Sequence, residues 1–405
     1  MAAETGSRSA GVPRLAFFAV IFAVGAVVFG ARPVVSYRAL DLGASNAEIG
    51  LIASAFALFA LLGALPLGRL VDGIGPGPVV VVGAASIALT LAGMTGADSL
   101  LLLAVGQAVL GLGQLMVVIG GQAMLTNLSS GENRDSRIGY YYVATALGQS
   151  TGPVIAGLFI GAAGTRVGGE QVLLVASAAA AAAAILALRF RSAGRRALGD
   201  DRGGRRSTLA EMVRRPGMRQ AIVSSIVLLT ALDLMLAYLP VYGEARNIPP
   251  QTIGLAIGAL GVSQVTSRLA LARLTRAFGY TAVLVLSMLA PALVISALLA
   301  PIDGALVVAV MFLVGLGLGL GQPLTLILVA LASNTRSRGQ AASLRMVGNR
   351  LGQLVLPASV GATAGQAGVA GILVAITVML GLGSLLIALD RPRAMQIDAE
   401  GPLDT

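Results

Sequence analysis

Few side chains in this chain can do chemistry, and their positions are correspondingly informative. Among its 405 residues there is no histidine and no cysteine. Disulfides, thiolate nucleophiles, histidine-based triads and the common zinc sites are therefore excluded, and no metal or cofactor is expected. One acid, Asp233, stands in the middle of a long apolar run, about 21 Å along a helix from the start of that run at 1.5 Å per residue. An arginine, Arg350, stands about 15 Å into another run by the same rise. Asn349 adjoins it and Gln353 follows one turn later. An unpaired arginine at such depth costs about 2.5–3.5 kcal/mol, so a partner or a wet cavity is required. Two readings are open: Asp233 loads and releases a proton while Arg350 tunes it, or the two form a static ion pair between their helices.

Other polar groups punctuate the apolar runs. Gln107 and Gln114 are seven residues apart and fall nearly on one helical face. Gln322 lies in a later run. Arg32 and Arg268 fall near the ends of their runs and are expected first at the membrane interface, with Arg32, beside Pro33, alternatively lining the outer part of the cavity. Arg345, about a turn from an interface, is expected to snorkel.

The elements that must carry these residues follow from composition. Hydrophobic residues make up 56% of the chain and charged residues 11%, with a mean hydropathy of +0.88. Soluble domains carry about 25% charged residues, so this chain is expected to be an all-α polytopic membrane protein. A bilayer core needs about 20 apolar residues per helix. Twelve spans are expected, at roughly 14–36, 47–68, 78–96, 99–126, 137–163, 170–190, 219–242, 251–273, 281–300, 304–331, 340–364 and 367–389. The first is read as a retained span rather than a signal peptide, because it ends in Arg32-Pro33 rather than in a cleavage site.

All 28 basic residues are arginine. With the N-terminus inside, 22 fall in cytoplasmic segments, four (Arg32, Arg38, Arg166 and Arg246) at the opposite face, and two within the eleventh span. This asymmetry places both termini in the cytoplasm and the protein in a cell membrane. The net charge of +10 then needs no nucleic acid; contact with anionic lipid explains it.

The polar segment 189–218 separates six spans from six. The expected organisation is a first six-helix bundle at 1–188, an arginine-rich linker at 189–218, a second bundle at 219–390 and a tail at 391–405. The halves match at an offset of 204 residues: Gly50 with Gly254, Gly75 with Gly279, Gly148 with Gly352 and Pro153 with Pro357. Two such bundles around a shared cavity suggest alternating access. With no lysine there is no phosphate-binding loop of the Gly-x4-Gly-Lys type, so ATP-driven transport is not expected, and no nucleophile–base spacing suggests an enzyme.

Two motifs carry a family resemblance. Gly68-Arg69-Leu70-Val71-Asp72-Gly73-Ile74-Gly75 resembles the loop after the second span of the major facilitator superfamily, with Gly73 in place of an arginine. Its second copy ends in Arg276 and Gly279. Gly139, Gly148, Gly152, Pro153 and Gly157 resemble the antiporter signature of the fifth span, with Ala156 replacing one glycine. The resemblance implies two six-helix bundles, a gate latched at Gly68, Asp72, Gly75, Arg276 and Gly279, and proton-coupled export of a drug or metabolite by the antiporter branch. It also implies that spans one, four, seven and ten surround the cavity. Gln107, Gln114, Asp233, Gln322, Asn349, Arg350 and Gln353 then become the candidate substrate-site residues. Gln107 stands where many proton-coupled members carry arginine. The implied partners are a small-molecule substrate, a proton and lipid, with the chain a monomer. The alternative is an importer or uniporter of an anionic solute, with Arg350 as its counter-charge.

Overall fold

The structure, a computed structural model, describes residues 14–128, 134–191, 217–333 and 338–389. Most of the expected linker and all of the tail lie outside the described residues. Among the described residues, ten segments are long and apolar enough to cross a membrane. Two of them each contain two helices. Gly279, with φ 77° and ψ 162°, breaks the helical stretch Pro250–Ile295, and a 3-10 turn at Ala364–Ala367 followed by Gly368 divides the last segment. We therefore number α1 (Arg14–Asp41), α2 (Asn46–Ile74), α3 (Pro76–Met94), α4 (Leu100–Leu128), α5 (Arg134–Ala163) and α6 (Thr165–Ala187). They are followed by α7 (Met218–Ala245), α8 (250–278), α9 (280–295), α10 (Gly304–Leu331), α11 (Arg338–Thr363) and α12 (Gly368–Leu389).

The turns repeat as the sequence does. Gly75 and Gly279 share a left-handed φ and nearly the same ψ, and both hand one helix directly to the next. Two further pairs at the same offset also have positive φ: Gly43 with Asn247, and Gly164 with Gly368. A positive φ favours glycine or asparagine, so these positions fix where each half reverses direction. Local signals set the starts. Ser45 caps α2 in a reciprocal capping box with Glu48, and Pro76 and Pro250 occupy the first turns of α3 and α8.

Helices α1–α6 pack on one another, as do α7–α12, and two main seams join the groups, α2 against α11 and α5 against α8, with smaller contacts of α7 against α1 and α2. Both seams are built on small residues. A methyl group on Gly50 would overlap the Pro357 carbonyl, and one on Gly254 would overlap the Pro153 carbonyl. Gly361 packs against Gly50, and Gly157 against Gly254. Each of these residues has its counterpart at the offset of 204, so one seam is a copy of the other. Asn46 seals the first seam by donating to the Gly365 carbonyl at 3.0 Å and accepting at its own carbonyl from Tyr238 at 2.7 Å. Asn46, Gly361 and Gly365 place this part of the first seam at the arginine-poor end.

Candidate functional site

The site is built where α1, α7 and α11 meet. Asp233 lies midway along α7 and is 4% exposed. Its partner is not the residue expected. Arg32, on α1 in the other half of the molecule, donates from Nη1 to Asp233 Oδ1 at 2.6 Å. The expectation that Arg32 is interfacial fails because α1 runs on to Asp41, past the expected end near residue 36. That extension leaves Arg32 buried, at 6% exposed. Its guanidinium also stacks over Phe56, 4.6 Å from the ring centre, with Phe29 at 5.9 Å.

Arg350 reaches the acid only through an intermediary. The Gln353 amide donates to Asp233 Oδ2, and Gln353 Oε1 accepts from Arg350 Nη1 at 2.9 Å. The direct Asp233–Arg350 pair is therefore replaced by a chain, Arg32–Asp233–Gln353–Arg350, in which both carboxylate oxygens are occupied. Two guanidiniums and one carboxylate leave the chain with one excess positive charge. A buried ion pair is weak evidence for stability, since desolvation offsets its attraction, but removing one partner strands the other charge.

The other expected site residues divide into three groups. Gln107 on α4, 4% exposed, lines a small pocket with Arg32, Ser36, Ile49, Ile52 and Ala237; its Oε1 is buried without a partner. Gln114 is half-buried two turns further along α4, outside that pocket. Gln322 on α10 joins a second cluster around Arg345, while Asn349 on α11 is buried with its Oδ1 unpartnered. Arg345 does not snorkel: its Nη1 donates to Ser225 Oγ at 2.9 Å, Gln322 Oε1 at 3.2 Å and Thr325 Oγ1 at 3.3 Å. Arg268 likewise turns inward, with Nε to the Gly319 carbonyl at 3.3 Å and Nη2 to Gln264 Oε1 at 3.3 Å.

Sequence reasoning held Arg32 only as an alternative cavity residue and missed Arg345. The signal that could have placed Arg32 deeper lies just beyond it: Val34 and Val35 continue the apolar run past Pro33, and α1 carries that proline inside it.

The expected gate residues are placed at helix ends. Gly68 and Asp72 fall within the last turns of α2, which Gly75 terminates. Arg276 closes on its own helix, with Nε to the Ala272 carbonyl at 3.0 Å. Asp72 and Gly139 lie outside the residues whose side-chain surroundings are described. In α5, Gly148 and Gly152 let α1 approach at Phe22 and Ala26, while Gly157 meets α8. The glycine–proline pattern therefore serves two interfaces of one helix.

Residues 17–299 and 242–402 match the family model described as the Major Facilitator Superfamily. The chain belongs to this superfamily. No curated protein matches its sequence. Solved superfamily-like transporters share the fold at low identity. A bacterial homolog of the human lysosomal transporter Spinster, inward-facing and unoccupied, has a TM-score of 0.77 at 14% identity over 95% of this chain and 98% of its own. A point mutant of the nucleoside transporter NupG has a TM-score of 0.75 at 14% identity, covering 95% and 99%. A POT family transporter in complex with 5-aminolevulinic acid has a TM-score of 0.78 at 12% identity, covering 95% and 96%. Membership in the superfamily makes the chain a multi-pass membrane transporter with a small-molecule substrate.

Proposed function

We propose that the protein is a secondary active transporter working by alternating access, coupling proton movement to export of a small organic molecule across the cell membrane. The observation that carries this reading is the buried Arg32–Asp233 pair, because it ties one half of the molecule to the other. Protonating Asp233 removes its negative charge, and Arg32 then loses its main reason to stay across the seam. The tie holds while the acid is ionised and loosens when it is protonated, so a proton arriving at one face licenses the halves to separate there. Arg350 acts on the acid through Gln353, which holds the second oxygen. The seal at the arginine-poor end supports a resting state whose cavity faces the arginine-rich, cytoplasmic side. Export is supported by the glycine–proline pattern of α5.

Proteoliposomes with an imposed pH gradient test this reading. The Asp233→Asn protein should lose proton-driven accumulation by at least tenfold while keeping exchange of substrate down its own gradient. Undiminished proton-driven transport by that variant would end the coupling role. A second reading, import of an anionic solute, is favoured by the excess positive charge of the chain from Arg32 to Arg350. Uptake of an acid without efflux of any neutral or cationic compound would select it.

A further inference from the structure

The cluster around Arg345 is chemically unlike the one around Asp233. Three helices of one half, α7, α10 and α11, bring Ser225, Gln322, Thr325 and Arg345 together, and every group that accepts from the guanidinium is neutral. Among the described residues the ion pairs are Arg32–Asp233 and Arg166–Glu170, so no carboxylate there neutralises Arg345. The donor side is also in surplus. Arg345 Nε and Gln322 Nε2 are both buried without a hydrogen-bond partner. Such groups forfeit their hydration and receive nothing in return, a cost of about 1–3 kcal/mol each.

A cation ringed by hydroxyl and amide groups, with idle donors and no counter-charge, suits an acceptor-rich anion. We propose that Arg345, with Gln322, Ser225 and Thr325, binds an oxyanion group of the substrate, a carboxylate or a phosphoryl, at a place separate from the proton site at Asp233. This deepens the transporter reading and rests on it. The Ser225 hydroxyl that now accepts from the guanidinium can turn to donate to the anion, and Thr325 can do so by giving up its bond to the Gln322 carbonyl. The planar fork of Arg345 matches two of its oxygens. The division of labour is then plain: the charge of Arg32 is committed to Asp233, and that of Arg345 is kept for cargo.

Binding can be measured by thermal shift on purified protein in nanodiscs of phosphatidylcholine, with hexanoate, hexylphosphonate, hexylamine and hexanol as probes at constant ionic strength. The expected result is stabilisation by one or both anions, with neither amine nor alcohol effective. Affinity should fall at least tenfold in Arg345→Gln and should recover in part in Arg345→Lys. Ser225→Ala should weaken binding less and serves if Arg345→Gln does not fold. Equal shifts by all four probes, or an unchanged affinity in folded Arg345→Gln, would overturn the proposal. So would stabilisation that appears only when phosphatidylglycerol is present, because the site would then belong to a lipid headgroup. In Asp233→Asn the anion shift should persist. Anion binding lost with proton-driven transport intact rejects this site alone; anion binding intact without any transport by the wild-type protein rejects the transporter reading.

Discussion

The residue that most changes the reading of this chain is Arg32. Depth along a helix is legible from sequence only if the helix ends are, and α1 extends to Asp41, beyond where hydropathy stops. Asp233 was legible as a buried charge because Leu232 and Leu234 flank it in a long apolar run, and Arg350 by its depth in its own run despite its polar neighbours Asn349 and Gln353. Their pairing was not legible, because it depends on helix rotation and on which half faces which. Those are settled by packing over hundreds of residues, not by local pattern. The pair makes a testable energetic statement. Removing the carboxylate alone, in Asp233→Leu, should lower stability in detergent by about 3–5 kcal/mol because Arg32 is left buried and uncompensated. The double variant Arg32→Met/Asp233→Leu should recover much of that loss in the same denaturation assay. Additive losses would show that the two residues act independently.

Among the elements, α5 does the most varied work. Its small residues face α1 over Gly148 and Gly152, then α8 from Ser150 to Gly161. The spacing of that pattern was plain in the sequence, but the identity of the helices it admits was not, since small residues four apart license close approach without naming a partner. Enlarging Gly254 or Gly157 to leucine should force the α5–α8 seam apart, because the space is filled by backbone. Transport should drop at least tenfold while insertion and helix content are kept. The seam between α2 and α11 can be read directly. The native chain has no cysteine, so Asn46→Cys with Gly365→Cys supplies a unique pair for a short thiol crosslinker. Crosslinking should be efficient in this background and fall when Asp233→Asn is added; an unchanged yield would uncouple the seal from the ion pair.

At the scale of the whole molecule, the all-helical class, the spans and the offset of 204 residues were legible because hydropathy and turn-forming glycines are local properties. The arginine distribution predicts how the molecule sits. A single cysteine introduced by Arg166→Cys should react with an impermeant maleimide in intact cells, and one introduced by Gly73→Cys only after permeabilisation. The reverse pattern would invert the assigned topology.

The positions 204 residues from Asp233, Arg32 and Arg350 are Phe29, Leu236 and Ala146. The scaffold is duplicated, but the charges on it are not. Six helices per half set both copies in the same sense across the membrane, so exchanging the halves does not exchange the two faces, and the charges distinguish one half from the other. On the proposed coupling the halves are unequal partners: one supplies the acid that takes the hydrogen ion, the other the cation that answers its charge.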